Sequence, residues 1–378
     1  MSGIYLHIPF CKQACYYCDF HFSTSLRKKE EMIRAIAGEL IMRAGEVTGK
    51  VETVYFGGGT PSLLSASEID GLLELIHEHF TLGPDPEITL EANPDDLTRD
   101  KIVELSGTGV NRLSIGIQSF FDSDLRYMNR AHSADEAIES LELAKRFFDN
   151  ISIDLIYGVP GLSEEHWRKN LDLGFDSGIK HVSSYALTVE PKTALDHLIR
   201  KGKCQAPNEE MAARHFEILR EVASDRGYVQ YEVSNFGKAG FFSRHNTSYW
   251  KGVPYMGVGP SAHSYDGQSR SWNVTNNAKY LRAIQDKRLP SESEMLFPED
   301  MINESVMTGL RTIWGVSLAD ISAKFGDGYT TMLLDQADKH LKEGRLYVKD
   351  DRLYLWPRFY FFADGISSDL FLLKVSDI

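Results

Sequence analysis

Much that would mark a chain for a membrane or a nucleic acid is missing from these 378 residues. No run of about 18 apolar residues offers a membrane-spanning helix. The N-terminus opens straight into a short apolar stretch, with no basic segment and no signal-like core. The expected compartment is therefore the cytoplasm. Cationic excess is also absent. Lys and Arg number 41 against 54 Asp and Glu, a net charge of −13, which disfavours general binding to nucleic acid or anionic membrane. No low-complexity segment interrupts the chain. A composition of 42% hydrophobic and 25% charged residues is globular, and the length suits one large domain plus a small one.

Cysteine is scarce too, with four in all, yet three crowd into Cys11-Lys-Gln-Ala-Cys15-Tyr-Tyr-Cys18. The fourth, Cys204, stands alone and reads as an incidental thiol. Three thiols cannot pair evenly, so a disulfide framework is a poor explanation in a chain that reads as cytosolic. A structural zinc site takes four N or S ligands, and no fourth ligand stands out. Thiolates at the spacing C-x3-C-x2-C suit an iron–sulfur cubane better. A four-iron cluster held by three cysteines keeps one iron open for chemistry.

From residue 3 to about 236, β-rich runs alternate with helical stretches. Candidate strands lie at 4–9, 51–56, 87–92, 112–118, 151–157 and 181–187, with helices at 28–45, 66–80, 99–106, 134–148 and 164–177. This repetition predicts an α/β fold with a parallel sheet and helical crossovers. Six units are too few for a closed eight-unit barrel, and active residues should gather at the C-terminal ends of the strands. A helix at 209–226 and a further strand at 228–236 follow. The tail reads as helices at 303–312, 316–325 and 330–343, then a hairpin over 345–355 turning at Lys-Asp-Asp. That pattern suggests a smaller α+β, winged-helix-like cap. The expected organisation is 1–236, a connecting segment 237–300, and 301–378.

A short apolar strand followed by C-x3-C-x2-C resembles the radical S-adenosylmethionine (SAM) superfamily, whose architecture is an open (β/α)6 partial barrel of TIM type. The resemblance implies that Cys11, Cys15 and Cys18 ligate a 4Fe-4S cluster whose open iron takes the amino and carboxylate groups of SAM. Tyr55-Phe-Gly-Gly-Gly-Thr-Pro61 would be a weak signal alone, more often a flexible turn. Directly after a strand it matches the family's GGGTP motif, and Gly58, Gly59 and Thr60 then receive the SAM amino group. Glu91, Gln118, Arg130 and Asp154 stand at or within strand ends, where a charge is costly unless paired or ligand-bound. Each can be read singly as a salt-bridge partner or rim residue. Together they match the SAM-contacting set of the coproporphyrinogen III dehydrogenase family, and Tyr5, Tyr17 and Ala186 fall on its remaining adenosyl positions. A carboxylate suits the ribose hydroxyls and an arginine the SAM carboxylate.

Arg244-His-Asn-Thr-Ser-Tyr-Trp250 carries the last motif. A histidine beside aromatics is commonly a hydrogen-bonded structural residue, but it can also supply an axial ligand to haem. The string H-N-x-x-Y-W resembles the signature of the family's haem-chaperone branch, with His245, Asn246, Tyr249 and Trp250 on its fixed positions. Two departures separate the chain from the dehydrogenase branch. Phe20 stands where a fourth cysteine would follow the third, and the chain starts at the first strand without the dehydrogenase's N-terminal extension. The resemblance therefore implies a carrier that binds haem, with His245 a haem contact, and hands it to membrane haemoproteins, possessing a cluster that supports a homodimer. The rivals are coproporphyrinogen III dehydrogenase and a haem-modifying radical SAM enzyme.

Overall fold

The computed structural model describes residues 2–373. Its first half alternates strand and helix: β1 (Ser2–Ile8), α1 (Lys29–Met42), β2 (Val51–Gly58), α2 (Ala66–His79), β3 (Leu82–Ala92), α3 (Arg99–Ser106), β4 (Arg112–Gln118), α4 (Asp122–Tyr127), α5 (Ala134–Ala144), β5 (Asn150–Tyr157), α6 (Glu164–Asp176) and β6 (His181–Ala186). Strands β1 to β6 pair in chain order, all parallel. This is the six-unit open barrel expected from the sequence. Capping boxes at Ser65/Glu68 and Ser133/Glu136 start α2 and α5, each satisfying amides that a helix start leaves unpaired.

Side chains alternate across these strands, and the alternation sorts them by chemistry. Ile4, Leu6 and Ile8, Val54 and Phe56, Ile88 and Leu90, Leu113 and Ile115, and Ile151 and Ile153 are buried in the layer shared with the helices. The intervening positions are polar or aromatic: Tyr5 and His7, Thr53 and Tyr55, Glu87 and Glu91, Arg112 and Ser114, Ser152 and Asp154. The barrel interior is thus lined for ligands.

The remaining elements extend the sheet on both sides. After α7 (Ala194–Arg200) and α8 (Glu209–Asp225) come β7 (Val229–Gln230) and β8 (Asn235–Gly237). The single strand expected at 228–236 is broken because the Glu232 carboxylate accepts bonds from the Ser234 amide at 3.1 Å and from the Asn235 side chain. Those bonds fold the middle into a turn, and β8 returns antiparallel to β6. Next follow α9 (Arg244–Trp250), β9 (Tyr255–Val258), β10 (His263–Tyr265), β11 (Ser269–Asn273), α10 (Asn277–Gln285) and β12 (Ser291–Met295). Strand β9 pairs parallel with β1, and β10 to β12 add antiparallel strands, so the main sheet has 12 strands. The stretch 237–300 is therefore more than a connection.

Buried charge joins this extension to the barrel. The Glu39 carboxylate in α1 accepts from the Gly259 amide at 2.9 Å, the Asn273 amide group at 2.7 Å, the Tyr280 hydroxyl at 2.6 Å and Arg43 at 3.2 Å. Arg43 in turn donates to the Gly257 carbonyl at 2.7 Å and to Ser264 at 3.2 Å.

The C-terminal part holds α11 (Pro298–Leu310), β13 (Val316–Ser317), α12 (Leu318–Phe325), α13 (Asp327–Lys342), β14 (Leu346–Lys349), β15 (Arg352–Leu355) and α14 (Ala363–Asp369). Its sheet runs β13-β15-β14. The hairpin turns at Asp350 and Asp351, with φ of 49° and 54°, the left-handed pair of a type I′ turn. Backbone bonds from Val233 to Arg311 and from Ile313 to Tyr231 dock it on the barrel, at 2.9 and 3.1 Å.

Glu39→Ala should lower folding stability by about 3–5 kcal/mol, because it leaves a buried guanidinium and several donors unpaired. Denaturant unfolding measures this. A loss below about 1 kcal/mol would mean that the network does not hold the extension.

Candidate functional site

The cysteine loop leaves the C-terminal end of β1 and is held down by three strand ends. The Gly59 amide donates to the Ile8 carbonyl at 2.9 Å. A Cβ on Gly59 would lie 2.5 Å from the Phe10 carbonyl oxygen, so only glycine lets the second strand end meet the loop. Gly58 adopts a φ of +112°. Thr60 is buried, hydrogen-bonds Cys11, and accepts from Asn93 at 3.2 Å.

Arg130 ties the loop to the rim. It reaches Cys15 Sγ at 3.3 Å and the Tyr17 hydroxyl at 3.5 Å through one terminal nitrogen, and Asn93 at 2.6 Å and the Gly116 carbonyl at 2.9 Å through the other. Its Nε is buried with no partner among the described residues. The Asn129 side chain donates to the Ala14 carbonyl at 2.7 Å, Gln13 donates to the Asn129 carbonyl at 2.9 Å, and the Tyr16 amide donates to Met128 at 3.1 Å. Lys12 pairs with Asp95 at 3.1 Å and with Asp96. Asn93, Asn129 and Lys12 were not singled out from the sequence. Only their places beside Glu91, Arg130 and Cys11 signalled them.

All four cysteines are free and partly exposed. Burial pushes the Cys18 thiol up to about 12 and also raises that of Cys11, so metal ligation there must displace protons. Among the described residues no three His, Cys, Asp or Glu converge on a single metal ion. A cubane asks for something different, one thiolate on each of three irons, and three free thiols on one anchored loop fit that demand.

Further inside, Glu91 accepts the Tyr55 hydroxyl at 2.8 Å. Burial pushes its carboxyl up to about 7; the Tyr55 and Gly58 bonds oppose this, and the Asp154 charge adds to it. Asp154 is raised to about 6, again chiefly by burial, with the Ser183 bond opposing. Gln118 closes β4 with a φ of 65°, a costly conformation outside glycine. Tyr5 donates to His7 Nδ1 at 3.2 Å and stacks near Tyr55, with ring centres 6.1 Å apart. Ala186 ends β6. Cys11, Cys15, Tyr17, Thr60 and Arg130 are linked directly, with Glu91 and Asp154 a step below them.

His245 lies elsewhere. Its neighbours Gly3 and Thr53 sit early in β1 and β2, roughly 16 Å below the strand ends at 3.3 Å per residue. It is buried, with Nδ1 bonded to Thr53 at 2.7 Å and Nε2 to the Tyr249 hydroxyl at 2.7 Å. The Tyr55 ring stacks on it at 4.9 Å and the Tyr249 ring meets it edge-on at 4.8 Å. Burial, helped by Arg112, lowers its pKa to about 3. The Glu87 carboxylate accepts the amides of Arg244 and His245 at 3.2 and 3.1 Å. The motif thus forms a short helix plugging the barrel floor.

Two cavities meet at Tyr249 and Tyr255. One, of about 580 Å³, lies beside the cysteine loop and is walled by Tyr5, Phe20, Phe22, Tyr255 and His263. The other, of about 850 Å³, lies against the C-terminal domain and includes Trp250, Arg270, Trp314 and Tyr354.

A carboxyl raised in the fold adds stability below its ordinary pKa and withdraws it as pH rises through the folded value. Glu91→Gln should therefore stabilise the ligand-free protein at pH 8, by about 1–3 kcal/mol, with no gain near pH 4.5. Unfolding at both pH values tests the sign. A destabilised variant at pH 8 would refute it.

The chain matches the Radical SAM superfamily over residues 5–174 and the HemN C-terminal domain over residues 296–358. It is 36% identical over 361 residues to the Heme chaperone HemW of Bacillus subtilis, covering 92% of this chain and 95% of that one. For the Heme chaperone HemW of Mycobacterium tuberculosis the identity is 35% over 371 residues, covering 96% and 93%. The mitochondrial Radical S-adenosyl methionine domain-containing protein 1 of Bos taurus is 38% identical over 331 residues, covering 84% and 74%. Coproporphyrinogen III oxidase (HemN) from Escherichia coli shares the fold, with a TM-score of 0.84 at 22% identity over 98% of this chain and 89% of that one. Sharing more than a third of its residues with HemW proteins across nearly their whole length, the chain belongs to the HemW family of the radical SAM superfamily.

Proposed function

We propose that this protein is a haem chaperone that carries a SAM-coordinated 4Fe-4S cluster and hands haem to membrane haemoproteins. The observation that carries the haem reading is the position of Phe20. The cysteine loop runs from Cys18 into this ring, which is 68% exposed and walls the aromatic cavity beside the loop. An apolar ring there offers a face to a flat macrocycle, and a volume of about 580 Å³ is within the range of small-molecule sites.

In this reading Cys11, Cys15 and Cys18 hold the cluster, which supplies an iron with an open coordination position. Gly58, Gly59 and Thr60 present backbone and hydroxyl to the SAM amino group. Arg130, whose Nε is buried with no partner among the described residues, takes the SAM carboxylate. Glu91 and Asp154 accept from the ribose hydroxyls, which offsets the cost of their burial. Tyr5, Tyr17, Gln118 and Ala186 pack about the adenosyl group. His245, bonded through both ring nitrogens, would reach haem only if its Tyr249 bond opened. We assign it to positioning α9, so that Tyr249 and Trp250 present their rings to the cavities. The protein works without nucleic acid in the cytoplasm, and the cluster supports a homodimer. No helix among the described residues is long and apolar enough to cross a membrane.

Cys15→Ala should abolish the brown absorbance of anaerobically reconstituted protein, and an intact cluster in that variant would overturn the ligand assignment.

The second reading, oxygen-independent coproporphyrinogen III dehydrogenase, is favoured by the likeness to HemN. Anaerobic incubation with SAM, reductant and coproporphyrinogen III separates the two. A chaperone yields no protoporphyrinogen while transferring haem to an apo-haemoprotein. Catalytic turnover would make the protein the dehydrogenase.

A further inference from the structure

The haem reading leaves the iron without a ligand, because the motif histidine is sealed. Most other histidines near the barrel hold at least one hydrogen bond through a ring nitrogen. His7 accepts from Tyr5 and donates to the His21 carbonyl. His181 bonds Ser152 and Tyr231. His132 bonds the Ile117 carbonyl, and His215 accepts from the Gly158 amide. His21 shares the cavity wall, with its Nε2 bonded to Asn277 at 2.7 Å.

His263 differs. It is exposed, walls the cavity beside the cysteine loop, and its ring has no hydrogen-bond partner among the described residues. From these observations we propose that His263 supplies the axial nitrogen to the iron of a haem held in this cavity. The proposal rests on the haem-chaperone reading and specifies its binding site.

The backbone around His263 is built to aim it. Gly259 and Ser261 take positive φ of 104° and 67°, turning the chain sharply between β9 and β10. A Cβ on Gly257 would come within 2.0 Å of the His263 carbonyl oxygen, so glycine is required for β10 to close on β9. Pairing with Trp272 in β11 fixes the register, and the Trp272 ring lies 6.3 Å from the imidazole. The backbone of His263 is therefore held at a defined place, and its ring nitrogens have no hydrogen-bond partner among the described residues. Burial, with Arg270 contributing, lowers its pKa, which favours the neutral imidazole that a metal takes. Phe20, Phe22 and Tyr255 provide rings for the macrocycle faces. The larger cavity has aromatics and cations but no histidine on its wall.

The test is titration of the reconstituted full-length protein with haemin, read by Soret absorbance and by electron paramagnetic resonance of the ferric complex. His263→Ala should weaken affinity at least ten-fold and shift the Soret band, and added imidazole should restore the wild-type spectrum. His263→Gln should behave like His263→Ala, while His77→Ala, on the exposed face of α2, should match wild type. Iron content and circular dichroism check that each variant folds and keeps its cluster. Wild-type affinity and spectra in both His263 variants would overturn the ligand assignment and leave the chaperone reading standing. A wild-type protein that binds no haemin would overturn both.

Discussion

A guanidinium held largely out of water must find partners for its donors, and Arg130 meets that demand by binding three separate parts of the chain. It holds Cys15 and Tyr17 of the first loop, Asn93 after β3 and the Gly116 carbonyl within β4. The cysteine loop and Asn93 lie outside regular structure, whereas Gly116 lies within the buried strand β4. Loops leave backbone groups that regular structure would satisfy, and the cysteine loop has only a few backbone bonds of its own. Through Arg130 the loop inherits the rigidity of strands whose outward faces are packed in the core. An Nε with no partner among the described residues shows that the arrangement is complete for the loop and incomplete for the arginine.

The same imbalance recurs down the barrel. Glu91 and Asp154 are part-buried, with pKa values raised to about 7 and about 6, whereas that of the buried His245 is lowered to about 3. The two kinds of group act in opposite directions. The carboxyls withdraw stability as pH rises towards neutrality; the histidine withdraws it as pH falls below its ordinary value, because the unfolded chain then binds the extra proton. A barrel packed with leucine would avoid both costs. Keeping polar groups inside trades stability for a binding surface, and ligands that satisfy them return part of it by mass action.

Where chemistry depends on neighbours in the sequence, the sequence was legible. The three cysteines share one loop, and the GGGTP glycines sit at a strand end where Gly59 has no room for a Cβ. The βα alternation was readable because long amphipathic helices and apolar strands carry strong periodicity. The short helices α4 and α7, of six and seven residues, span too few turns to show one. Strands β9 to β12 were missed for another reason. Strand β12 is exposed at every residue and β10 has three residues, so neither shows the alternation of a half-buried strand. What holds them is remote, since Glu39 in α1 anchors Gly259, Asn273 and Tyr280 across more than two hundred positions.

The histidine of H-N-x-x-Y-W shows why a motif can mark a site without touching its ligand. Residues four apart on a helix share a face, so His245 and Tyr249 were bound to meet, and their bond consumes the imidazole's second nitrogen. The result is a floor plug whose outer rings, Tyr249 and Trp250, line the cavities while its histidine faces inward. Strand β10 starts after a turn that breaks the local pattern, and it places the imidazole of His263 on the cavity wall. Sequence spacing reports which side chains can meet within an element. Which lone pair stays free depends on partners supplied by the rest of the fold, here Thr53 on β2 for one histidine and open space for the other.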